Sequence, residues 1–392
     1  MSDRSSACTA TRGLRIGMGV PALGFSGGIE KHAWDLARSL RARGHRIVLL
    51  HGPREGRDAE TYARAFDDVR PLEAVGAARD LDVVYQHRAG DVRELAPFGS
   101  LPVVVATHDH DLTCVRSHRY LPLGLEPCHR PPGVACVTHG CAIVRNRAAD
   151  TLLPFATRSP FALRARLHEL ARRAPLVACS RYVADNVVRA GVARDRVHVV
   201  HPIPPEDDTP VLPRPPGGRL LAVGQLLRGK GFDLAIAALA HLPGDVSLDI
   251  VGEGSAREEL ERLAGSLSAG RARVVGYVSP DALAAHYDRA AVVLVPSRWP
   301  EPFGMVGVEG MRRGRPIVGA RHGGIPEWLE EGRAGRLFEP GSPSSLARAV
   351  LAVLGDEEAG ARALAFVRER FHHAATVDAV ERILVVAARG PA

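Results

Sequence analysis

Short apolar segments alternate with amphipathic segments along most of this chain. The first apolar segment, Leu14–Val20, leads into the glycine-rich turn GFSGGIE and then into KHAWDLARSLRARG, whose apolar residues recur with the spacing of one helical face. Further apolar segments that end in polar residues follow, among them DLDVVYQH, LPVVVATHDH, APLVACS and RVHVVHP. Because buried parallel strands alternate with helices in this way, the pattern predicts an α/β fold with helices on both faces of a parallel sheet.

A proline-rich segment interrupts the alternation near the middle of the chain. Seven prolines lie between Pro202 and Pro216, a density that fits neither helix nor sheet, and we interpret the segment as an interdomain linker. The alternation then resumes at RLLAVG, which predicts two Rossmann-like, doubly wound domains facing a central cleft at the carboxyl ends of their strands. The predicted parts are a first domain at 1–203, the linker at 204–217, a second domain at 218–373 and a C-terminal helix at 374–392 that packs back on the first domain.

Composition and charge narrow the class of protein. Hydrophobic residues make up 46% of the chain and charged residues 24%, which is typical of a globular protein. No apolar run approaches the ~20 residues that span a bilayer, and the first residues lack the apolar core of a secretory leader, so we expect a cytoplasmic protein. The net charge of +7 favours anionic partners, but we find neither a helix-turn-helix signature nor an aromatic–basic stripe. We expect no nucleic-acid partner, whereas weak peripheral contact with the inner face of a membrane is compatible with this charge.

One strand-to-helix turn of the second predicted domain has the features of a phosphate site. In VGQLLRGKGFD, glycines allow close approach of a ligand and the helix N-terminal amides face it. Arg228 and Lys230 add positive charge, and Lys230 is one of only two lysines in the chain beside 49 arginines. This turn therefore predicts a subsite for a diphosphate.

A second turn, PSRWPEPFGMVGVEG, also joins a predicted strand to a predicted helix. The first-turn amides of that helix, at Phe303, Gly304 and Met305, favour an anion because they lack intrahelical partners. Glu301 and Glu309 lie about two helical turns apart, and carboxylates accept hydrogen bonds from paired sugar hydroxyls. Two carboxylates beside a diphosphate subsite indicate one sugar on each side of the diphosphate.

These motifs resemble those of the retaining glycosyltransferases of GT-B architecture, specifically family four. Glu301 and Glu309 meet the E-x7-E pattern of that family, and GQLLRGKG meets its glycine–lysine turn. HGGIPEWLEEGRAGRLFEPGSPSSLARAV resembles the family's segment after the second glutamate, and GFSGGIEKHAWDLARSLRARGH resembles the glycine loop and first helix of the N-terminal half. The resemblance spans nearly the whole chain.

The resemblance implies a role for each matching residue. Glu309 would bind the nucleotide ribose, Glu301 would contact the donor sugar, and the turn cations would hold the diphosphate. Many relatives have an arginine directly after the first glycine of the turn, where this chain has Gln225, and Arg228 is expected to supply that charge. The implied catalytic residues are His108, Arg228, Lys230 and Glu301. The implied donor-binding residues are Gly27, Gly28, Gly224, Gln225, Arg228, Lys230, Val278, Phe303, Gly304, Met305 and Glu309.

The resemblance also implies a reaction. A sugar would move from a nucleotide-diphosphate donor, with UDP favoured, to a hydroxyl of a glycan, a lipid-linked saccharide or a small natural product, with retention of the anomeric configuration. Because two cations and a helix N-terminus can stabilise a leaving diphosphate, we expect turnover that needs no metal ion and no other cofactor.

A cysteine-containing insertion, predicted at about 109–145, follows the strand that ends near His108. Four thiolates can bind structural zinc, but the spacings of 13, 7 and 4 intervening residues include no C-x2-C knuckle, so we favour reduced thiols over a metal site. The insertion is expected to face the entering acceptor. Its cysteines are Cys114, Cys128, Cys136 and Cys141. The candidate acceptor-binding residues, including one in the glycine loop, are Glu30, Asp109, His110 and Arg119.

Other functions stay open at this point. A non-hydrolysing nucleotide-sugar 2-epimerase shares the architecture and a diphosphate cleft, although the E-x7-E pattern and the GKG turn fit a transferase better. A basic protein that docks on an anionic surface would account for the charge alone. A dinucleotide oxidoreductase is disfavoured, because GVPALGFSGGIE follows the first strand where G-x-G-x-x-G is expected.

Overall fold

The computed structural model describes residues 13–74, 80–122, 126–145, 155–204, 211–329 and 332–390. The chain forms two compact units. The first unit comprises Met1–Ala106, Arg173–Pro175 and Val377–Ala392, and the second comprises Thr107–Arg172 and Leu176–Thr376. The domain boundary predicted at 203/204 stays a prediction. Residues 205–210 of the predicted linker lie outside the described residues.

A parallel sheet forms the centre of the first unit. Its strands lie in the order β3-β2-β1-β4-β5, so that Ile16 of the first strand pairs with Ile47 on one side and Val83 on the other. Both neighbours are apolar because the central strands are buried on both faces. The elements are β1 (Arg15–Leu23), α1 (Gly28–Ala42), β2 (Arg46–Glu55), α2 (Ala59–Ala63), β3 (Asp68–Pro71), β4 (Val83–His87) and β5 (Val103–Thr107).

Helix α1 confirms the face predicted from the sequence. Ala33, Leu36, Ala37 and Leu40 are fully buried, as the spacing of its apolar residues requires. The chain leaves the helix through Gly44, whose φ of +88° favours a residue without a Cβ. The first strand, the glycine turn and the first helix therefore form where the sequence predicts them.

The second unit begins with the cysteine-containing insertion and a short parallel pair of strands. The insertion has little regular structure, and its strands β6 and β7 form an antiparallel hairpin, whereas β8 and β9 pair in parallel. The elements are α3 (Val134–Thr138), β6 (Ile143–Arg145), β7 (Phe155–Thr157), α4 (Pro160–Arg173), β8 (Leu176–Ala178), α5 (Arg181–Arg189) and β9 (Val197–Val199).

A six-stranded parallel sheet forms the larger part of the second unit. Its strands lie in the order β12-β11-β10-β13-β14-β15, so the direction of winding reverses between β10 and β13. In open parallel sheets, ligands bind outside the carboxyl ends of the strands at this reversal. The elements are β10 (Arg219–Val223), α6 (Phe232–Ala238), β11 (Ser247–Val251), α7 (Arg257–Leu267), β12 (Ala272–Gly276), α8 (Pro280–Arg289), β13 (Val292–Val295), α9 (Met305–Arg312), β14 (Ile317–Ala320), α10 (Ile325–Trp328), β15 (Gly335–Phe338), α11 (Pro343–Leu354) and α12 (Ala359–Arg370).

The last helix, α13 (His373–Arg389), returns to the first unit. Its Glu381 accepts hydrogen bonds from the guanidinium of Arg43 (2.5 Å) and from Nε2 of His45 (2.8 Å), and Asp378 forms a second ion pair with Arg43. Among the described helices, none has both the length and the apolar character needed to cross a bilayer.

A buried arginine fixes the end of the proline-rich segment on the six-stranded half. The Arg315 guanidinium donates to the carbonyl oxygens of Leu212, Pro213 (3.2 Å) and Ala290 (3.4 Å), and the side chain is fully buried. Burial lowers the pKa of Arg315, although this group stays charged at neutral pH. The guanidinium therefore satisfies carbonyl groups that the prolines nearby leave without a backbone donor.

We predict that Arg315→Leu strongly destabilises the second unit. The substitution removes the shared donor of the Leu212, Pro213 and Ala290 carbonyl groups, which should cost about 3 kcal/mol of unfolding free energy, measured by urea denaturation. The matched control is Arg333→Leu, because Arg333 is an exposed arginine that pairs with Glu369 and lies over the Phe366 ring without being buried itself. That control should change stability by less than about 1 kcal/mol. Equal effects of the two substitutions would contradict the role of Arg315.

Candidate functional site

The loop between β13 and α9 presents a buried carboxylate to a lysine. Glu301 is only 5% exposed. The Nζ of Lys230, in the turn after β10, lies 2.8 Å from Oε1 and 3.1 Å from Oε2 of this carboxylate. The Ser297 hydroxyl donates to Oε1 as well. The two turns that the sequence marks separately are thus joined by an ion pair, next to the reversal in strand order.

The charge of Glu301 is set by competition between burial and its partners. Burial by itself would raise the pKa of the carboxyl, but the charge of Lys230 and the hydrogen bonds from Lys230 and Ser297 outweigh it. The net pKa of Glu301 therefore lies below its usual value. The Glu301 carboxyl is therefore ionised at neutral pH, and Lys230 compensates its buried charge.

Distant side chains bind the carbonyl groups of the Glu301 loop. Each donor comes from a different segment of the second unit, so the loop is held at several points along its length. Ser297, which the sequence reasoning missed, could have been found as a polar residue directly after a buried strand. The bonds run from His322 Nε2 to Ser297 O (2.8 Å), His110 Nε2 to Pro300 O (3.0 Å), Ser180 Oγ to Pro302 O (2.6 Å) and Trp328 Nε1 to Phe303 O.

Two glycines let the segment after β14 lie directly against Glu301. A Cβ on Gly323 would come within 2.5 Å of the Glu301 carbonyl oxygen and 2.6 Å of its amide nitrogen. Gly324 donates its N–H to the same carbonyl at 2.8 Å. The two glycines of the HGG motif therefore pack directly against the backbone of the Glu301 loop, since only residues without side chains allow this approach.

The turn after β10 depends on a glycine in the same way. The chain passes through a short 3-10 turn at Arg228–Lys230 and enters α6 through Gly231, which has a φ of +69°. A Cβ there would lie 2.0 Å from the carbonyl oxygen of Pro296, so the backbones of the turn and of the Glu301 loop touch at this point. Within the turn Arg228 and Gln225 are exposed and Lys230 is partly buried. The two cations therefore lie in different environments.

A stacked ring pair connects the cysteine-containing insertion to this turn. The Trp299 ring covers Gly229, where a Cβ would lie 2.1 Å from a ring carbon. The His118 ring stacks on Trp299 with a centroid distance of 5.2 Å and an interplanar angle of 22°. Burial lowers the pKa of His118 to about 4, so the stacked imidazole is neutral at physiological pH. The insertion thus contacts the Glu301 loop at Trp299.

Helix α9 carries the second glutamate of the E-x7-E pattern. Glu309 accepts a hydrogen bond from the hydroxyl of Tyr287 on α8 at 2.7 Å. Tyr287 is buried, and burial together with the charge of Glu309 raises its pKa far above the usual value. The sequence reasoning missed Tyr287, because nothing in the spacing between α8 and α9 shows that they meet here. The position of Glu309 inside a helix is as predicted, while its contact with ribose stays a prediction.

Helix α9 begins at Met305, where the sequence predicts the start of a helix. Gly304 lies at the N-cap position with a φ of +97°, and Phe303 before it is buried. The ring of Trp328 lies against Gly307, where a Cβ would come within 2.0 Å of it, so α9 and α10 pack closely. Met305 and Val278, two further predicted donor residues, are partly buried.

The histidines after β5 are neutral at physiological pH. Burial lowers the pKa of both His108 and His110 to about 4. Because a carbonyl only accepts, Nε2 of His110 carries the proton and donates to Pro300, while Nδ1 has no hydrogen-bond partner among the described residues. The Asp109 carboxylate accepts the N–H of Asp111 (2.9 Å) in a local turn.

Two of the predicted acceptor residues are buried and bind backbone carbonyl groups, and their contact with an acceptor stays a prediction. His110 is 2% exposed and supports the Glu301 loop. Arg119 is 1% exposed, and its guanidinium donates to the carbonyl oxygens of Thr113 (3.1 Å), Cys128 (3.1 Å) and Arg130 (3.0 Å). Arg119 thereby organises a segment that has little regular structure of its own.

Three of the four cysteines of the insertion help to form its small core. Cys141 is buried with Val115, Leu121 and Leu163, and Cys128 and Cys136 pack against this cluster. The Arg119 amide donates to Cys114 Sγ at 3.4 Å. Burial raises the pKa of Cys136, and it raises the pKa of Cys141 to about 11, so these two thiols are protonated at neutral pH. None of the four forms a disulfide bond, and the preference for reduced thiols over a zinc site stays a prediction.

The glycine loop of the first unit has the predicted form. Helix α1 begins at Gly28, with Gly27 at the N-cap position. Glu30, in the first turn of the helix, is 4% exposed. The contacts predicted for Gly27 and Gly28 with a diphosphate and for Glu30 with an acceptor stay predictions.

Two family models match the chain in succession. Residues 26–203 match the family described as Glycosyltransferase Family 4, and residues 210–369 match the family described as Glycosyl transferases group 1. The junction between the matched regions falls within the proline-rich segment. Each of the two regions that the sequence pattern separates is therefore matched by its own family model.

Several relatives and solved structures are similar to the chain, over different shares of its length. The glycogen synthase of Mycobacterium tuberculosis is 27% identical over 394 residues, covering 93% of this chain and 92% of the relative. The D-inositol 3-phosphate glycosyltransferase of Xylanimonas cellulosilytica is 34% identical over 216 residues, covering 49% of this chain and 51% of the relative. The crystal structure of Anabaena Alr3699/HepE in complex with UDP and glucose superposes with a TM-score of 0.72 at 20% identity, covering 95% of this chain and 99% of that one. The fold is confirmed as two parallel-sheet, Rossmann-like α/β domains that match GT-B structures.

We predict that the second unit loses stability as the pH falls from about 6.5 to about 4. The unfolded chain binds protons in this range, whereas the buried neutral imidazole of His110 does not, so protonation favours unfolding. The loss due to His110 is at most about 3 kcal/mol, measured by urea denaturation across this range.

His110→Gln keeps a donor for the Pro300 carbonyl but does not titrate, and should lose less stability than the wild type as the pH falls. His241→Gln, at an exposed position, should behave like the wild type; an unchanged pH profile for His110→Gln would show this account to be wrong.

Proposed function

The chain belongs to the group 1 glycosyltransferases, and on that premise we propose that it moves a sugar from a nucleotide-diphosphate donor to an acceptor hydroxyl. The observation that carries this proposal is the buried Lys230–Glu301 pair between the turns after β10 and β13. The pair places a cation and a carboxylate together at the reversal in strand order, where a parallel sheet binds ligands.

The leaving group determines what the cations do. Cleavage of a sugar–phosphate bond leaves positive charge on the sugar and negative charge on the departing diphosphate. Lys230 and Arg228 would stabilise the diphosphate together with the first-turn amides of α9, and one well-placed donor of this kind contributes about 3 kcal/mol to the transition state. An ammonium has three N–H groups, so Lys230 can hold Glu301 and still donate to a phosphate oxygen.

The carboxylates would orient the two sugars of the donor. Oε1 of Glu301 accepts from both Lys230 and Ser297, whereas Oε2 accepts from Lys230 and keeps capacity for a sugar hydroxyl. Glu309 would accept from the ribose hydroxyls, with Tyr287 fixing the orientation of its carboxylate. The buried position of Glu301 supports a role in orienting the sugar that is transferred.

We further propose a UDP-sugar as donor and retention at the anomeric carbon. The fold match to HepE in complex with UDP and glucose supports the choice of nucleotide. Retention follows if the acceptor hydroxyl attacks on the face from which the diphosphate leaves, with the diphosphate oxygen accepting the proton. In the described residues we identify no carboxylate poised as a covalent nucleophile, because Glu301 is already bonded to Lys230 and Ser297. The acceptor is a hydroxyl compound, and a glycan, a lipid-linked saccharide and a small natural product all fit this proposal.

We predict that Lys230→Ala slows transfer and Glu309→Ala weakens nucleotide binding. The first change removes charge that acts on the leaving group and should lower kcat by about 100-fold or more. The second removes hydrogen bonds to ribose and should raise the Kd for UDP by about tenfold, measured by calorimetry. The matched control is Lys31→Ala, since Lys31 is the only other lysine and pairs with Asp35 on α1. Unchanged kinetics in both test variants would show that the site lies elsewhere.

We also predict that transfer continues in the presence of EDTA and retains the anomeric configuration. Fixed cations take the place of a divalent metal ion in this proposal, so chelation should leave kcat within about twofold of its value in untreated enzyme. The same reaction, followed by proton NMR of the product, reports the configuration of the new bond. An inverted product, or activity that disappears with EDTA and returns with Mg²⁺, would contradict the proposed mechanism.

A further inference from the structure

One segment of the second unit exposes apolar side chains that a folded core would normally bury. The described residues include ten large apolar side chains that are exposed, and half of them lie between positions 134 and 161. Isolated exposed apolar residues are common on protein surfaces, but a local concentration of this kind marks a surface that another partner covers. We call this set the apolar patch: Val134, Val137, Ile143, Phe155 and Phe161.

The members of the apolar patch lie on elements that are joined directly. In the β6–β7 hairpin, Ile143 pairs with Thr157, so Ile143 and Phe155 are diagonal neighbours on one face. The hairpin is bonded to α3 through the Ala142 N–H and the Cys136 carbonyl at 3.0 Å. Helix α4 follows the hairpin within three residues, and its Leu163 packs in the same small core as Cys141. The patch therefore belongs to one packed region.

The charge of this region is strongly positive. Residues 127–145 and 155–168 contain five arginines and no acidic residue, so these two described segments carry +5 of the net charge of +7. Arg130, Arg158 and Arg164 are exposed beside the apolar patch. Arg158 donates to the Val115 carbonyl and Arg164 to the Ala190 carbonyl, both at 3.0 Å, so these guanidinium groups are held near the surface.

A shallow groove continues the same face along α4. It has a volume of about 410 Å³ and is lined by Phe161, Ala165 and the arginines Arg164 and Arg172, together with His168 and Glu169. Apolar side chains and guanidinium groups in one groove suit a phosphate headgroup with its acyl chain. The groove and the apolar patch meet at Phe161.

We propose that this face, from α3 to the first turns of α4, binds the surface of an anionic lipid bilayer. Phenylalanine, isoleucine and valine side chains would enter the boundary between headgroups and acyl chains, while the arginines contact anionic headgroups. Charge complementarity favours an anionic bilayer, and exposed aliphatic side chains do not suit a nucleic acid, whose backbone is polar throughout. The proposal does not depend on the sugar donor or on the acceptor, since it concerns only where the protein resides during catalysis.

Cosedimentation of the full chain with lipid vesicles tests the proposal. Vesicles of phosphatidylcholine mixed with phosphatidylglycerol should bind the protein at least about tenfold more tightly than vesicles of phosphatidylcholine alone. The binding should weaken as salt is added, because screening reduces the attraction between arginines and headgroups. Equal binding to both vesicles, or no binding to the anionic ones, would overturn the proposal.

A paired substitution separates the apolar patch from general basicity. Phe155→Ser with Phe161→Ser removes two exposed rings and should lower binding to anionic vesicles by about tenfold, since burial of apolar area drives insertion. The matched control is Leu267→Ser on α7, which removes a side chain of similar exposure (52% against 63% and 57%) elsewhere in the second unit. Thermal unfolding confirms that all variants fold.

Other measurements identify competing occupants of the face. Hydrolysis of a soluble donor should be unchanged in the double variant, so loss of vesicle binding is distinguished from failure of the proposed enzyme activity. A wild-type protein that is dimeric in light scattering, and becomes monomeric in the double variant without binding vesicles, would identify a second copy of the chain as the partner and overturn the membrane proposal.

Discussion

The buried ion pair between Lys230 and Glu301 constrains much of the second unit. The Glu301 carboxylate would be unfavourable in this buried position without Lys230, because only a partner with hydrogen-bond geometry offsets its loss of hydration. The pair can form only if the turns after β10 and β13 touch. Gly231 allows that contact, since a Cβ there would meet the Pro296 carbonyl, and Gly323 lets the segment after β14 pack against the backbone of Glu301. The two turns lie close together because β10 and β13 are neighbours in the sheet, and Gly231 avoids the steric clash that a Cβ would cause between them.

The Glu301 loop is held by side chains instead of by a regular hydrogen-bond ladder. Two prolines flank Glu301 and cannot donate from the backbone, so carbonyl groups in this loop need donors from elsewhere. A histidine, a serine and a tryptophan from separate segments supply them. A neutral imidazole suits this position because it can donate from one nitrogen without bringing a further buried charge. This arrangement preorganises a carboxylate that would otherwise change position when a ligand arrives.

In and next to the cysteine-containing insertion, polar side chains hold the backbone in place. Arg119 and His110 have the chemistry of acceptor-binding residues, yet both are buried and bind backbone carbonyl groups. The insertion is short of apolar core residues, so a guanidinium with five donors organises its turns. Its exposed apolar residues lie on the outside, where the same segment also concentrates positive charge. One segment thus contacts the Glu301 loop through His118 and offers a separate surface to a partner.

The sequence by itself determined the order of strands and helices, the parallel α/β class and the two turns that carry the site. These follow from local periodicity and from glycine positions, which act over a few residues. It could also have identified Ser297, a polar residue at the end of a buried strand. The tertiary structure alone decided that Lys230 pairs with Glu301 and that Tyr287 meets Glu309. These contacts join residues 71 and 22 positions apart, and their partners are chosen by packing, which no local pattern encodes.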